Sequence, residues 1–105
     1  MTQKAVFDTI KKTVLSCLPD ARVLLFGSHA RGDHDKESDY DLLVINPHIF
    51  TRQEKLNYSS RLHKSIVKAI NAPVDLLLYS EDEITQKREL PGHIIRFAVK
   101  EGTTL

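Results

Sequence analysis

Three short apolar runs are the main constraint on how this chain can fold. They occupy residues 22–26, 40–45 and 73–79, and their length and content of leucine and valine are typical of buried strands. The first two runs have a short connection, which favours antiparallel neighbours, whereas a long helical pattern separates the last two, as expected between parallel strands. The sequence therefore predicts an α/β (α+β) fold, in which a small mixed sheet of core strand order 123 is flanked by helices.

Helical periodicity fills most of the sequence around these runs. Apolar residues recur at helical spacing over residues 4–18, 51–70 and 93–101, and Ser80 and Glu83 have the spacing of a capping box that begins a further helix. The apolar stripe expected on the long middle helix consists of Leu56, Ser59, Ser60, His63, Val67 and Ile70, widened by Leu62 and Ile66. These helices supply the layers that would cover the sheet.

Turn-forming residues mark the remaining connections. Gly27 and Ser28 are expected to form a turn after the first strand, residues 30–32 can form one helical turn, and residues 33–38 read as a polar loop. Gly102 follows the last helical pattern at a position where a cap is expected. With 105 residues and no linker, repeat or low-complexity tract, residues 1–105 are expected to form one domain.

Composition excludes several classes of protein. Fifteen basic and fourteen acidic residues give a net charge of +1, so charge does not argue for a nucleic-acid binder, and the absence of tryptophan disfavours a base-stacking surface. A single cysteine, Cys17, excludes an intramolecular disulfide. No apolar stretch is long enough for a membrane span, and the first residues lack a signal-peptide core, so a cytoplasmic protein is expected.

The expected topology brings five chemistry-bearing residues to one end of the sheet. Gly27 and Ser28 follow the first strand, which is antiparallel to the second, so they lie beside Asp39 and Asp41 at the start of that second strand. The third strand is parallel to the second, so Asp75 near its start lies at the same end. Asp39 and Asp41 are two residues apart in an extended segment, which places their side chains on one face.

This grouping of residue types indicates a metal-dependent phosphate site. Three neighbouring carboxylates repel one another, and a divalent cation with oxygen ligands, most naturally Mg²⁺, relieves that repulsion. Gly27 allows a ligand close to the backbone, and Ser28 adds a hydroxyl group and an amide N–H. Two metal ions about 3.5–4 Å apart can support an in-line displacement at phosphorus, so a metal-bound polyphosphate is the expected ligand.

These residues also carry a resemblance to a known family. Gly27 and Ser28, ten intervening residues, and then Asp39 and Asp41 match the GSx10DxD signature, and Asp75 fits the third acidic position. The chain thus resembles the minimal nucleotidyltransferases, which are small members of the DNA polymerase β-like superfamily. The resemblance covers nearly the whole chain, including an ending similar to the family's C-terminal helix and short final strand.

The resemblance implies a role for each matched residue. Asp39 and Asp41 would bind two Mg²⁺ ions, and Asp75 would bind one of them and help to activate the attacking hydroxyl group. Gly27 and Ser28 would bind the β- and γ-phosphates of ATP, the expected substrate. Asp39, Asp41 and Asp75 are therefore the expected catalytic and metal-binding residues.

Three nearby residues are left open by the sequence. His29 stands where the family commonly has arginine, so it either contacts the nucleotide or has another role. Arg31 keeps the family's second basic position without a defined function. Tyr40 either packs on the helix layer or stacks on a base.

The resemblance also implies a biological role and a partner. Chains of this size are similar to MntA-type antitoxins, which pair with a HEPN-domain ribonuclease toxin and transfer AMP from ATP to a toxin tyrosine. A toxin of this type, encoded next to this chain, is the expected partner, and homo- or hetero-oligomers are both open. The alternatives are an antitoxin that neutralises its partner by binding alone and a small-molecule nucleotidyltransferase.

Overall fold

The computed structural model describes residues 2–35 and 37–105, and it contains the predicted strands and helices with small shifts of their ends. The elements in chain order are α1 (Gln3–Cys17), β1 (Arg22–Phe26), α2 (Gly27–Arg31), β2 (Tyr40–Asn46), α3 (Arg52–Ile70), β3 (Val74–Ser80), α4 (Glu81–Lys87), α5 (Ile94–Glu101) and β4 (Thr103–Thr104). Within the described residues, no helix is both long and apolar enough to cross a membrane.

The strands form a mixed sheet of order β3-β2-β1-β4. β1 pairs with β2 in antiparallel orientation, and β2 pairs with β3 in parallel orientation, so the predicted core order 123 is confirmed. The short β4 adds to the outer side of β1, where Thr103 and Thr104 face Leu25 and Leu24. β3 is consequently an edge strand, and the ends of β1, β2 and β3 that carry the predicted site lie together.

Helices cover both faces of the sheet. Alternate residues of the strands point to opposite faces, so Leu42 and Val44 pack under α1 and α3, whereas Leu43 and Ile45 pack under α4 and α5. α1 contributes a stripe of three residues at intervals of four, namely Val6, Ile10 and Val14. These layers leave the β2 strand buried on both faces over most of its length.

The expected apolar stripe of α3 is confirmed at Leu62, Ile66 and Ile70 and is wrong at Leu56 and His63. Leu56 is 59% exposed and His63 is also at the surface, whereas Leu62, Ile66 and Ile70 form the buried stripe against α1 and the sheet. The buried members of the expected stripe are large aliphatic residues, and burying these at the core gains more free energy than burying serine and histidine.

One prediction about a glycine-containing segment needs correction, and another is confirmed. Gly27 and Ser28 are not a separate turn but the first residues of α2, which begins after the extended Phe26 and ends at Gly32 in the left-handed conformation (φ +84°). Gly102 does cap α5, but with an extended backbone (φ −67°, ψ 147°). Lys36, in the loop expected over residues 33–38, lies outside the described residues.

Candidate active site

The parallel pairing of β2 and β3 places two aspartates side by side. Asp41 and Asp75 are direct neighbours in the register of the two strands. Residues two apart in a strand point to the same face, so Asp41 shares a face with Leu43 and Asp75 shares a face with Leu77. These leucines lie on the face under α4 and α5, so both carboxylates belong to that face at the end of the sheet. Asp39 precedes Asp41 by two residues and is exposed at the same end.

The charges of these carboxylates interact. Partial burial raises the pKa of Asp41 above its ordinary value, and the negative charges of Asp75 and Asp39 raise it further. The nearby His29 and Arg31 act in the opposite direction but do not cancel the increase in pKa. The structure therefore brings the three predicted aspartates into one electrostatic site, in which an additional positive charge would stabilise the ionised state.

Gly27 forms the wall of the site opposite Asp41. Its neighbour Phe26 pairs directly with Asp41 across β1 and β2, and Gly27 itself has a φ of +74°. A Cβ atom at position 27 would lie 3.0 Å from Cγ and 3.3 Å from Cβ of Asp41, so the backbone of α2 can approach the carboxylate this closely only at a glycine. Ser28 follows and is half-buried, and its hydroxyl group has no hydrogen-bond partner among the described residues.

The residue types fit magnesium, although the carboxylates are not arranged as a closed metal site. Carboxylate oxygens are preferred ligands of Mg²⁺, and a cation would stabilise the ionised form of Asp41, whose pKa is raised by burial and by repulsion from Asp75 and Asp39. Within the described parts of the chain, no three histidine, cysteine, aspartate or glutamate side chains are close enough together to hold an ion as they stand. Protein side chains alone therefore do not complete a coordination shell here.

The sequence matches the nucleotidyltransferase domain family over residues 7–103. The chain belongs to this family. The matched region contains Gly27, Ser28 and all three aspartates, so the site described above lies within the nucleotidyltransferase domain.

Individual relatives agree with this assignment. A Methanocaldococcus jannaschii protein that is named a protein adenylyltransferase is 44% identical over 52 residues, which are 48% of this nucleotidyltransferase and 52% of the relative. The match thus spans about half of that relative's length.

Solved structures of low sequence identity share the fold. A structure described as a minimal nucleotidyltransferase superposes with a TM-score of 0.69 and 23% identity, covering 100% of this chain and 97% of the other. A chain from the complex of a tri-AMPylated Shewanella oneidensis HEPN toxin with its MNT antitoxin superposes with a TM-score of 0.61 and 17% identity, covering 98% and 71%.

His29 of this nucleotidyltransferase is almost completely buried. Its side chain is 7% exposed, and its ring lies between those of Tyr40 and His34, at centroid distances of 3.6 Å and 4.2 Å. Tyr40 also packs against the core under α1 and α3, which is the first of the two roles that the sequence left open. The position of His34 beside His29 could not be predicted from the sequence, because it depends on how the loop before β2 folds back.

Arg31 lies at the surface of the same short helix. Its guanidinium group donates to Asp33 over 3.2 Å, and both side chains are about half exposed. An exposed ion pair of this kind contributes little to stability. Arg31 therefore acts on the site of this nucleotidyltransferase mainly through its charge, which lowers the pKa of Asp41.

An open groove adjoins Asp75 on the outer edge of the sheet. It has a volume of about 400 Å³ and runs between α3 and β3. The α3 side is lined by polar side chains and one exposed leucine, namely Leu56, Ser59, Ser60, His63 and Lys64. Because β3 is an edge strand, a molecule in this groove can reach the end of the sheet where Asp75 lies.

Proposed function

We propose that this nucleotidyltransferase transfers AMP from Mg-ATP to a hydroxyl group of a protein, the tyrosine hydroxyl of a HEPN-type toxin, and so acts as its antitoxin. The observation that carries this proposal is the direct pairing of Asp41 with Asp75, with Gly27 against the Asp41 carboxylate. The two carboxylates have the donor atoms for the metal ions of a metal-bound triphosphate, and the glycine beside them presents no side chain that would obstruct the phosphates.

The proposed roles follow from the position of each residue. Asp39 and Asp41 would hold two Mg²⁺ ions, and Asp75 would be a ligand of one of them. These ions would neutralise the negative charge of the phosphates. Gly27 and Ser28 would bind the β- and γ-phosphates, and the Ser28 hydroxyl group is available to donate a hydrogen bond to a phosphate oxygen. The ribose and base would extend beyond this end of the sheet.

Asp75 is suited to act on the attacking group. It is exposed on the edge strand, whereas Asp41 is partly buried between its neighbours, so an acceptor can approach Asp75 from outside. In the proposed reaction the acceptor oxygen forms a bond to the α-phosphorus, and the bond from that phosphorus to the bridging oxygen of pyrophosphate breaks. The hydroxyl proton passes to Asp75, either to stay there or to be handed on to water. The products are the adenylylated acceptor and pyrophosphate.

A protein acceptor is supported by two observations. The relative with 44% identity over its matched region is named a protein adenylyltransferase, and the S. oneidensis structure of the same fold is a complex with an AMPylated HEPN toxin. In addition, the groove beside Asp75 is open, so it offers little enclosure for a small molecule but admits a segment of a larger one.

The surface of α5 is suited to hold such a partner. Leu90, Ile94 and Phe97 are large apolar residues that are 50%, 49% and 44% exposed within one short stretch of sequence. Ile94 and Phe97 line a shallow cavity of about 480 Å³ together with Arg96 and Lys100. An exposed apolar cluster beside cationic side chains favours a protein partner that presents apolar and acidic residues.

The deciding experiment combines the purified protein, the neighbouring HEPN-type protein, Mg²⁺ and ATP labelled in its α-phosphate. The toxin should acquire the label, chelation of Mg²⁺ should abolish transfer, and Asp41→Asn or Asp75→Asn should lower the rate by at least about a hundredfold. Asp20→Asn, an exposed aspartate in the turn before β1, is the matched control and should transfer normally. Absence of label on the toxin while ATP still binds to the wild type would rule out this acceptor.

An antitoxin that works by binding alone is the second candidate, and the exposed α5 surface is the observation that favours it. If binding alone is sufficient, the double variant Asp39→Asn, Asp41→Asn should still protect cells and co-purify with the toxin. Phe97→Asp should then abolish both protection and co-purification. Loss of protection with intact co-purification in the double variant would reject binding alone in favour of catalysis.

A further inference from the structure

We propose that His29 is a positioning residue, which fixes the segment bearing Asp39 and Asp41 against α2 and does not itself touch the nucleotide. This inference rests on the proposed function, because it assigns His29 a role in metal-dependent nucleotide binding. It starts from a stack of three rings at the junction of α2, the following loop and β2, formed by His34, His29 and Tyr40.

The stack joins the two halves of the site. The His29 and Tyr40 rings are nearly parallel, with an interplanar angle of 10° and a centroid separation of 3.6 Å. His34 covers the His29 ring at 4.2 Å and 22°. His29 belongs to the helix that begins with Gly27, and Tyr40 lies between Asp39 and Asp41, so the stack connects the phosphate-facing backbone to the carboxylates.

A hydrogen bond adds a second connection. Nε2 of His29 is 2.9 Å from the carbonyl oxygen of Ser38. A carbonyl oxygen can only accept, so Nε2 carries a hydrogen and donates it. The Ser38 hydroxyl group in turn accepts from the Asp35 backbone N–H over 3.0 Å, which closes the loop on itself. His29 therefore holds the residue immediately before Asp39 at a fixed distance from α2.

Burial of the His29 ring argues against a direct contact with phosphate. The side chain is 7% exposed, the neighbouring rings lie against it, and Nε2 is occupied by Ser38. A ligand that bound this nitrogen would therefore have to break the hydrogen bond to the Ser38 carbonyl oxygen and move the loop. His29 therefore favours metal binding by restricting the motion of the segment that carries the two carboxylates. Ordering these carboxylates before a metal binds lowers the entropy cost of binding.

The test separates positioning from direct binding. His29→Ala removes both connections, whereas His29→Phe keeps a stacking ring and loses only the donor. Binding of a non-hydrolysable ATP analogue is measured by calorimetry with Mn²⁺ and with chelator, and amide hydrogen exchange is followed over residues 38–42. His48→Ala, which removes an exposed histidine away from the stack, is the matched control.

We expect His29→Ala to weaken Mn²⁺-dependent binding of the analogue about tenfold and His29→Phe to weaken it less, because each connection has a modest value. Amide exchange over residues 38–42 should accelerate in His29→Ala, while binding measured with chelator and all properties of His48→Ala should equal those of the wild type. Rescue of the Mn²⁺-dependent affinity by Phe would show that stacking supplies most of the order.

Two results would overturn the role of His29. Unchanged amide exchange in His29→Ala would show that it does not hold the segment, and an equal loss of affinity with Mn²⁺ and with chelator would show a direct nucleotide contact. Both readouts are independent of the acceptor. If the wild type binds the analogue with Mn²⁺ but labels no toxin, the proposed function fails while the positioning role stands; if the wild type binds no Mn²⁺-analogue complex, both fail.

Discussion

The backbone of Gly27 lies directly against the carboxylate of Asp41, with no space between them for a methyl group. A Cβ at position 27 would come within 3.0 Å of Asp41 Cγ, closer than real Cβ atoms normally approach another carbon. The contact joins the first residue of α2 to the second residue of β2, which is the point where the segment proposed to bind phosphate meets the aspartates. Substitutions at position 27 therefore act on the carboxylate as well as on the backbone.

Gly27→Ala should weaken metal-dependent nucleotide binding while leaving a folded protein. The methyl group must push the Asp41 side chain away, and alanine at a φ of +74° costs an additional amount of about 1–2 kcal/mol in free energy of unfolding. We expect at least about a tenfold loss of affinity for the Mn²⁺-analogue complex, measured by calorimetry.

Gly32→Ala separates these two effects. Gly32 has a similar φ of +84°, but a Cβ there would meet nothing within 4 Å. It should lower the melting temperature about as much as Gly27→Ala and keep the affinity of the wild type. Equal losses of affinity in the two variants would show that backbone strain, and not displacement of Asp41, is responsible.

Asp41→Asn should stabilise the metal-free protein at neutral pH. A carboxyl group whose pKa is raised by folding disfavours the folded state when it is ionised, so removing the charge increases the free energy of unfolding. We expect the melting temperature to rise by a few degrees in the presence of chelator, since about 1 kcal/mol corresponds to roughly 4–8 °C in a domain of this size.

The stability gained by Asp41→Asn should depend on pH. Below the raised pKa of Asp41 the wild-type carboxyl group is protonated and resembles asparagine, so the advantage of Asp41→Asn should shrink as the pH falls through that pKa. Addition of Mg²⁺ and nucleotide should reverse the order at neutral pH, because only the wild type gains stability from binding. A variant less stable than the wild type in chelator at neutral pH would contradict the repulsion among the aspartates.

The sequence was sufficient for the order of the core strands because connection lengths constrain their directions. A short polar connection cannot join parallel neighbours, and the helical pattern before the third strand supplies the crossover that parallel strands require. The parallel register then places Asp75 beside Asp41, and this follows from topology without knowledge of any side-chain contact. The short β4 could be expected only by analogy, since two threonines carry no strand pattern.

The environment of His29 could not be read from the sequence. Its burial depends on Tyr40 and His34 closing on its ring, and their approach depends on the path of the loop before β2. Local patterns describe a residue's own helix or strand, whereas this stack combines residues from three segments. The buried face of α3 is a related case, because Leu56 and Leu62 both fit a helical stripe and only the packing partner decides between them.

Leu62→Ala and Leu56→Ala test the corrected face of α3. Leu62 is 1% exposed within the core under α1, so its truncation should lower the free energy of unfolding by about 2–5 kcal/mol. Leu56 is 59% exposed, and its truncation should change that free energy by less than about 0.5 kcal/mol. Denaturant unfolding of both variants is the measurement, and comparable losses in the two would restore the stripe expected from the sequence.

Glu83→Gln should show how much the ion pair between Glu83 on α4 and Lys55 on α3 contributes to stability. Burial alone would raise the pKa of Glu83, but hydrogen bonds from Lys55, over 3.0 Å, and from the Ser80 backbone lower it below its ordinary value. Glutamine keeps an acceptor for the Ser80 cap and removes the charge, so the variant should melt at a lower temperature near pH 7. We expect its free energy of unfolding to fall by about 1 kcal/mol or less, because the two side chains of the pair are about one-third exposed. A lowered carboxyl pKa stabilises the fold above that pKa, so the difference from the wild type should disappear as the pH falls through it.

Glu54→Gln is the matched control, since Glu54 forms the same capping box with Thr51 and has no ion pair among the described residues. If Glu54→Gln lowers the melting temperature as much as Glu83→Gln does, and with the same pH dependence, the cap and not the Lys55 pair accounts for the stability.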